Sequence, residues 1–152
     1  MAGSTLEERI ARLEAIEEIR ELKAWYCAHC DDGYRPDALA ELFTKDGVID
    51  AGPFGRHEGR EAIRRYFAEI SNSIVFAAHL VTNPIIAVEG PRATGRWRLL
   101  VPATMVREGR KEAVWILGDY RDEYVREDGR WRFSNVALEI NFIAPHDTGW
   151  PV

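Results

Sequence analysis

The sequence predicts an α+β domain, with helices first and an antiparallel meander after them. Three observations predict it. Apolar residues recur at three- and four-residue steps up to about residue 72, the period of a helix with one buried face. From about residue 74 the period changes to two, as in a half-buried strand. Three hairpin-grade turns, Glu89-Gly-Pro91, Arg107-Glu-Gly109 and Glu127-Asp-Gly129, divide that second part into four long strands. Runs of helices followed by runs of strands are the order of an α+β fold. A length of 152 residues suits one domain, 1–152, with its core at about 6–145 and a tail at 146–152.

The first helix is expected over 5–30. Thr5 with Glu8 three residues on matches a capping box. Ile10, Leu13, Ile16, Ile19, Leu22, Tyr26 and Cys30 form its apolar stripe, and glutamates fill the other faces. Asp31-Asp32-Gly33 ends it. Pro36 suits the first turn of a short second helix reaching about Phe43, with Ala38, Leu39, Leu42 and Phe43 facing in. Residues 47–50 read as a short strand and Gly52-Pro-Phe-Gly55 as a turn. A third helix is expected from about Arg60 to Asn72, with Ile63, Tyr66, Phe67 and Ile70 inward. The four long strands are expected at about 75–88, 92–105, 112–126 and 130–143. In the second of them Ala93, Gly95, Trp97, Leu99 and Val101 share one face, and Thr94, Arg96 and Arg98 the other.

Composition excludes several classes. A net charge of −5 argues against a nucleic-acid binder, which shows a basic excess. No stretch approaches the ~20 apolar residues of a membrane helix, and Met1 to Arg12 lacks the apolar centre of a secretory signal, so a cytoplasmic protein is expected. Cys27 and Cys30 are spaced as a C-x-x-C pair, but they lie inside a helix with no second pair, which favours buried thiols over a redox or zinc site. The four histidines show no metal-ligand spacing, and no Gly-rich phosphate loop or nucleophile-elbow serine is present. No metal and no cofactor are expected.

The ordered set of motifs narrows the fold. Leu22-Lys-Ala-Trp-Tyr26 precedes Asp31-Asp32; Ala40-Glu-Leu-Phe43 precedes Asp46; then come Gly59-Arg-Glu-Ala-Ile63 and Ala78-His-Leu-Val-Thr-Asn83, followed by Tyr120-Arg-Asp-Glu-Tyr124 ahead of Asp128-Gly-Arg-Trp131. This order resembles the SnoaL-like branch of the NTF2-like superfamily, relatives of scytalone dehydratase, polyketide cyclases and ketosteroid isomerase. The resemblance implies an NTF2-like cone, a curved antiparallel or mixed sheet wrapped by three N-terminal helices around one pocket. It also implies a homodimer or homotrimer, an outer sheet face being left for self-association.

His79 sits in the otherwise apolar Phe76-Ala-Ala-His-Leu-Val, where dehydratase-like members carry a pocket histidine. There it is either a proton-transfer group or a core histidine bonded to a carbonyl. The resemblance places an aspartate at the end of the first helix to orient it. Counting from Tyr26 selects Asp31; counting back from Leu39 and Phe43 selects Asp32. Asp31 is preferred, because an inserted residue sits more easily in the Gly33-Tyr-Arg-Pro36 loop than in a helix.

Tyr26 and Tyr120 are candidates to offer hydroxyls to a substrate oxygen, or simply to pack. Trp25, Trp97, Trp115, Met105, Ile140 and Phe142 are candidate apolar walls on strand parity, which a bulge inverts. His29 lies near the aspartates, facing either pocket or solvent. His57 is placed on the surface and His146 in a tail able to cover the pocket mouth or a subunit contact. The sequence departs from the family's patterns in places. Trp97 stands for a second histidine and Cys30 for a tyrosine, both of the scytalone dehydratase pattern. Cys27 stands near an expected lysine and Val136 for an arginine of the dehydrochlorinase pattern, which argues against halide elimination.

The expected function is a cofactor-free lyase or isomerase, dehydratase- or cyclase-like, acting through a His–Asp pair on a small apolar cyclic ketone, steroid-like or polyketide-like compound. The alternatives are a non-catalytic ligand-binding or oligomerisation module on the same fold, and a small subunit of an oxygenase.

Overall fold

The computed structural model describes residues 4–147 and residue 149; the rest of the tail lies outside the described residues. Helix α1, Leu6–Asp31, starts where its capping box directs. The Glu8 amide donates to Thr5 Oγ1 at 3.1 Å and the Thr5 amide to Glu8 Oε2 at 2.8 Å. Its stripe differs from the expected one. Ile10 and Leu13 stand exposed, and packing begins only at Ala15, continuing through Ile19, Lys23, Tyr26, Cys27 and Cys30. Those positions repeat every three or four residues, but one of them is a lysine, so the buried face looks polar in the sequence.

Helix α2, Pro36–Glu41, is shorter than expected, because Phe43 opens strand β1 (Phe43–Asp50) instead of closing the helix. A 3₁₀ turn at Gly52–Phe54 leads into a short strand unforeseen in the sequence, β2 (Arg56–Glu58), and then helix α3 (Arg60–Ile70). Strands β3 (Ile74–Ala77), β4 (Leu80–Glu89), β5 (Arg92–Arg107), β6 (Arg110–Glu127) and β7 (Arg130–Pro145) complete the chain. The turns after β5 and β6 each place two successive residues at positive φ, Glu108-Gly109 and Asp128-Gly129, the geometry whose twist matches a tight hairpin.

The sheet runs β2-β1-β7-β6-β5-β3, with β4 also paired to β5. All neighbours are antiparallel except β1 with β7, which are parallel, so the sheet is mixed. It curls into a half-barrel whose concave face is covered by the helices, an α+β cone. Ala93, Trp97, Leu99 and Val101 of β5 are buried on that face as alternation requires, and Arg96 and Arg98 point outward.

Two irregularities decide the site. The expected strand 75–88 breaks at Ala78–His79 between β3 and β4. In β7 a bulge shifts register between the pairs Leu117↔Phe142 and Gly118↔Ile140. Residue Asn141 is the extra one, so facing inverts across it: Ile140 points inward and Phe142 outward.

Candidate functional site

The break before β4 releases His79 from the sheet ladder. Its amide no longer pairs with β5 and instead donates to the Asp31 carboxylate, at 2.9 Å to Oδ1 and 3.1 Å to Oδ2. The imidazole Nδ1 meets the same Oδ1 at 2.7 Å. An ionised carboxylate only accepts, so Nδ1 carries a proton, and in the neutral ring Nε2 holds the lone pair. Asp31 is the last residue of α1, so one carboxylate at a helix end fixes both the backbone and the ring of His79. The side chain of His79 is 9% exposed and that of Asp31 35%. Asp32, the alternative partner, caps α1 and pairs on the surface with Arg35 at 3.6 Å; it does not reach His79.

His79 lines a cavity inside the cone, bounded by Tyr26, Cys30 and Tyr34 from α1 and the loop after it, and by Tyr66, Phe67 and Ile70 from α3. The sheet supplies Leu99, Val101, Ile116, Tyr120, Leu138 and Ile140, and the 3₁₀ turn supplies Phe54. The volume open to the centre of a water-sized sphere is about 40 Å³, room for ordered water. The lining is apolar except for the His79 imidazole, the Cys30 thiol and the phenols. Tyr26 and Tyr120 both line the cavity. Burial pushes the Tyr26 and Tyr120 hydroxyls well above the usual phenol range, so both stand as neutral groups. Burial likewise pushes the Cys27 thiol up to about 11 and Cys30 well above its usual value. The two thiols are free and buried.

Six expected lining residues lie elsewhere. Trp97 faces inward, but its indole Nε1 donates to Tyr124 Oη at 3.1 Å, away from the cavity lining. Trp115 alternates with the inward Val114 and Ile116, so it faces outward, and it donates to His146 Nδ1 at 3.0 Å. The β7 bulge turns Phe142 to the outer face. His29 stacks on Trp25, with ring centroids 5.6 Å apart, because it lies one turn after that exposed residue, on a face of α1 off the buried stripe. Trp25 itself is exposed and Met105 is buried outside the lining. His57 lies in β2 and stacks on Tyr66 at 4.4 Å. Among the described residues no group of three or more His, Cys, Asp or Glu side chains is placed to hold a metal ion.

The profile of the SnoaL-like domain family matches residues 11–137. The chain belongs to the SnoaL-like domain family. Among curated proteins none matches the sequence significantly. Solved structures similar to this SnoaL-like chain include the hexachlorocyclohexane dehydrochlorinase LinA-type3 from Novosphingobium barchaimii, 23% identical, with TM-score 0.82 over 95% of this chain and 98% of that one. A candidate scytalone dehydratase from Novosphingobium aromaticivorans is 24% identical, with TM-score 0.78 over 89% of each chain. Rv3472, a Mycobacterium tuberculosis protein of unknown function, is 26% identical, with TM-score 0.71 over 86% of this chain and 74% of that one. With the two Novosphingobium proteins the likeness is one of fold. Among the described residues of the SnoaL-like chain no helix is long and apolar enough to cross a membrane.

Beside the cavity lies a pair that the sequence reading missed. Lys23 and Asp122 are both fully buried, with Nζ 2.9 Å from Oδ2. Asp122 Oδ2 also accepts from Tyr124 Oη at 2.9 Å. Burial pushes the Asp122 carboxyl up, against the pull of Lys23 and the Tyr124 hydrogen bond. Both residues carried a readable signal: Lys23 falls four after Ile19 on the buried stripe, and Asp122 alternates inward with Tyr120 and Tyr124. Removing one partner strands the other charge in the core. Lys23→Met alone is therefore expected to cost about 3–5 kcal/mol of stability. The double change Lys23→Met with Asp122→Asn is expected to cost much less, and chemical denaturation of the two variants checks it.

Proposed function

We propose that this SnoaL-like protein is a cofactor-free lyase or isomerase, dehydratase- or cyclase-like, whose substrate is a small, mostly apolar cyclic ketone, steroid-like or polyketide-like compound. The observation that carries the reading is the hydrogen-bonded Asp31–His79 pair beside an apolar cavity with phenol hydroxyls in its wall. In this reading Nε2 of His79 takes a proton from carbon, Asp31 stabilises the imidazolium that forms, and Tyr26 or Tyr120 donates to the substrate oxygen as charge develops on it. The same imidazolium then returns the proton, either to a leaving group or to a second carbon. The names of the dehydrochlorinase and the candidate dehydratase of similar fold both describe eliminations, which this sequence of proton transfers serves. With Cys27 and Val136 where the resemblance expects a lysine and an arginine, a halide leaving group is the poorer fit.

A ring-sized ligand needs more room than the cavity offers with its walls in place. Phe54 sits in a 3₁₀ turn, Gly52–Phe54, with Gly52 and Gly55 both at positive φ. The direct test is exchange: the protein is incubated with a panel of cyclic ketones in D₂O and deuterium at the α-carbon is followed by mass spectrometry. Exchange that depends on His79 is expected; a wild-type protein that exchanges nothing, or a His79→Ala variant as fast as wild type, rejects the reading in favour of a binding module.

The reading includes a homodimer or homotrimer built on the outer sheet face. Leu80, Leu100, Leu117 and Phe142 form one cross-strand row there through the pairs Leu80↔Leu100, Leu100↔Leu117 and Leu117↔Phe142, and Leu80 is 51% exposed. Such a contiguous apolar row marks an association surface. Leu100→Glu with Leu117→Glu is expected to yield a folded monomer by sedimentation velocity; an unchanged assembly would place the interface elsewhere.

A further inference from the structure

The proton transfer proposed above leaves one buried charge unused. The Lys23 ammonium lies 3.4 Å from the centroid of the Tyr120 ring and 4.7 Å from that of Tyr26. Its counter-charge, Asp122, is held in turn by Tyr124 at 2.9 Å and, through it, by Trp97 at 3.1 Å. A buried ion pair is a poor device for stability alone, since apolar side chains of similar volume commonly serve as well. Here the cation touches the face of a phenol whose ring lines the cavity. A cation at a ring face withdraws electron density from the ring and so polarises the O–H bond that the ring carries. The Tyr26 and Tyr120 rings meet edge to face with centroids 6.0 Å apart, so the cation lies against two phenols at once.

We infer that Lys23 is a positioning residue for an oxygen-binding subsite: held by Asp122 against the Tyr120 ring, it strengthens the Tyr120 hydroxyl as a hydrogen-bond donor to the carbonyl oxygen of a cyclic ketone. The inference rests on the reading of the cavity as a ketone site and names the part of it that recognises oxygen. Tyr120 touches the ligand; Lys23 acts through Tyr120. Neither group changes its covalent structure or its net proton count in binding.

The test is isotope-edited infrared spectroscopy of cyclohexanone labelled with ¹³C at the carbonyl, bound to the full-length protein. In the wild type the carbonyl stretch is expected at lower frequency than in Tyr120→Phe. In the double variant Lys23→Met with Asp122→Asn, which keeps an acceptor for Tyr124, the stretch is expected to move part-way back, with binding weakened roughly two- to fivefold. Asp122→Asn alone is a second route, because it removes the counter-charge that holds Lys23 against the Tyr120 ring. A folded double variant with the wild-type stretch and affinity would overturn the inference and leave Lys23 a core residue. So would a wild type that fails to bind the ketone at all. His79→Ala is expected to keep the stretch. If that variant also kept full deuterium exchange, the proton-transfer reading would fail while the oxygen subsite stood.

Discussion

Raising the pH is expected to unfold the protein cooperatively within one to two units above about pH 10, with tyrosinate absorbance appearing in the same step as the loss of far-UV circular dichroism. The chain has five tyrosines. Tyr26, Tyr34, Tyr66, Tyr120 and Tyr124 are all pushed above the usual phenol range, in each case chiefly by burial. A phenol with a raised value in the folded state keeps its proton where the unfolded chain loses it. Its contribution is complete below about pH 10, the unfolded value, and is lost as pH rises beyond it. Each such group costs about 1.4 kcal/mol per pH unit in that window, so five acting together cost roughly 7 kcal/mol per unit, of the order of a small domain's entire stability. The Cys27 and Cys30 thiols, raised in the same sense, bring the onset down toward pH 9. Tyr26→Phe and Tyr120→Phe should each make the stability slope shallower by one proton. Tyrosinate absorbance growing gradually from pH 10 with the circular dichroism unchanged would show that these phenols are not sealed from water.

The same burial explains what the sequence made legible and what it hid. Helix and strand periods, the capping box at Thr5 and the hairpin turns at Glu108-Gly109 and Asp128-Gly129 are local signals, and the elements they predict are present. The preference for Asp31 over Asp32 rests on a local argument about where a loop absorbs an insertion, and Asp31 is the carboxylate that meets His79. Errors arose where a local signal is reversed by a tertiary partner. The break at His79 exists because Asp31, far away in sequence, accepts the amide that a continuous strand would have given to β5. Phe142 faces outward because one bulged residue inverts parity, and Trp115 faces outward because its buried neighbours Val114 and Ile116 hold the inner face. The pairing of Lys23 with Asp122 is not legible in the sequence, because a charge inside a core is intelligible only once its opposite is seen beside it. Tyr34, another wall residue, sits at positive φ in a loop, where no periodic signal operates.

Replacing His79 by alanine is expected to lower turnover about 10²- to 10⁴-fold, the usual contribution of a positioned general base. The loss should appear in kcat more than in KM, since the imidazole acts on the transition state and the walls do the binding. Asp31→Ala releases both the amide and the ring of His79, and a base displaced by about 1 Å loses on the order of 10²-fold. Asp32→Ala breaks only a surface pair with Arg35, worth at most about 1 kcal/mol, and turnover should be unchanged; this contrast separates the two neighbouring carboxylates. The decisive measurement is the double variant. Asp31 works through His79, so once the imidazole is gone the carboxylate has nothing to orient, and His79→Ala with Asp31→Ala should be no slower than His79→Ala alone. If the two losses instead multiply, Asp31 has a catalytic role of its own. The free Nε2 would then be one of two independent groups acting on the ligand, and not the single base on which the proposed proton transfer depends.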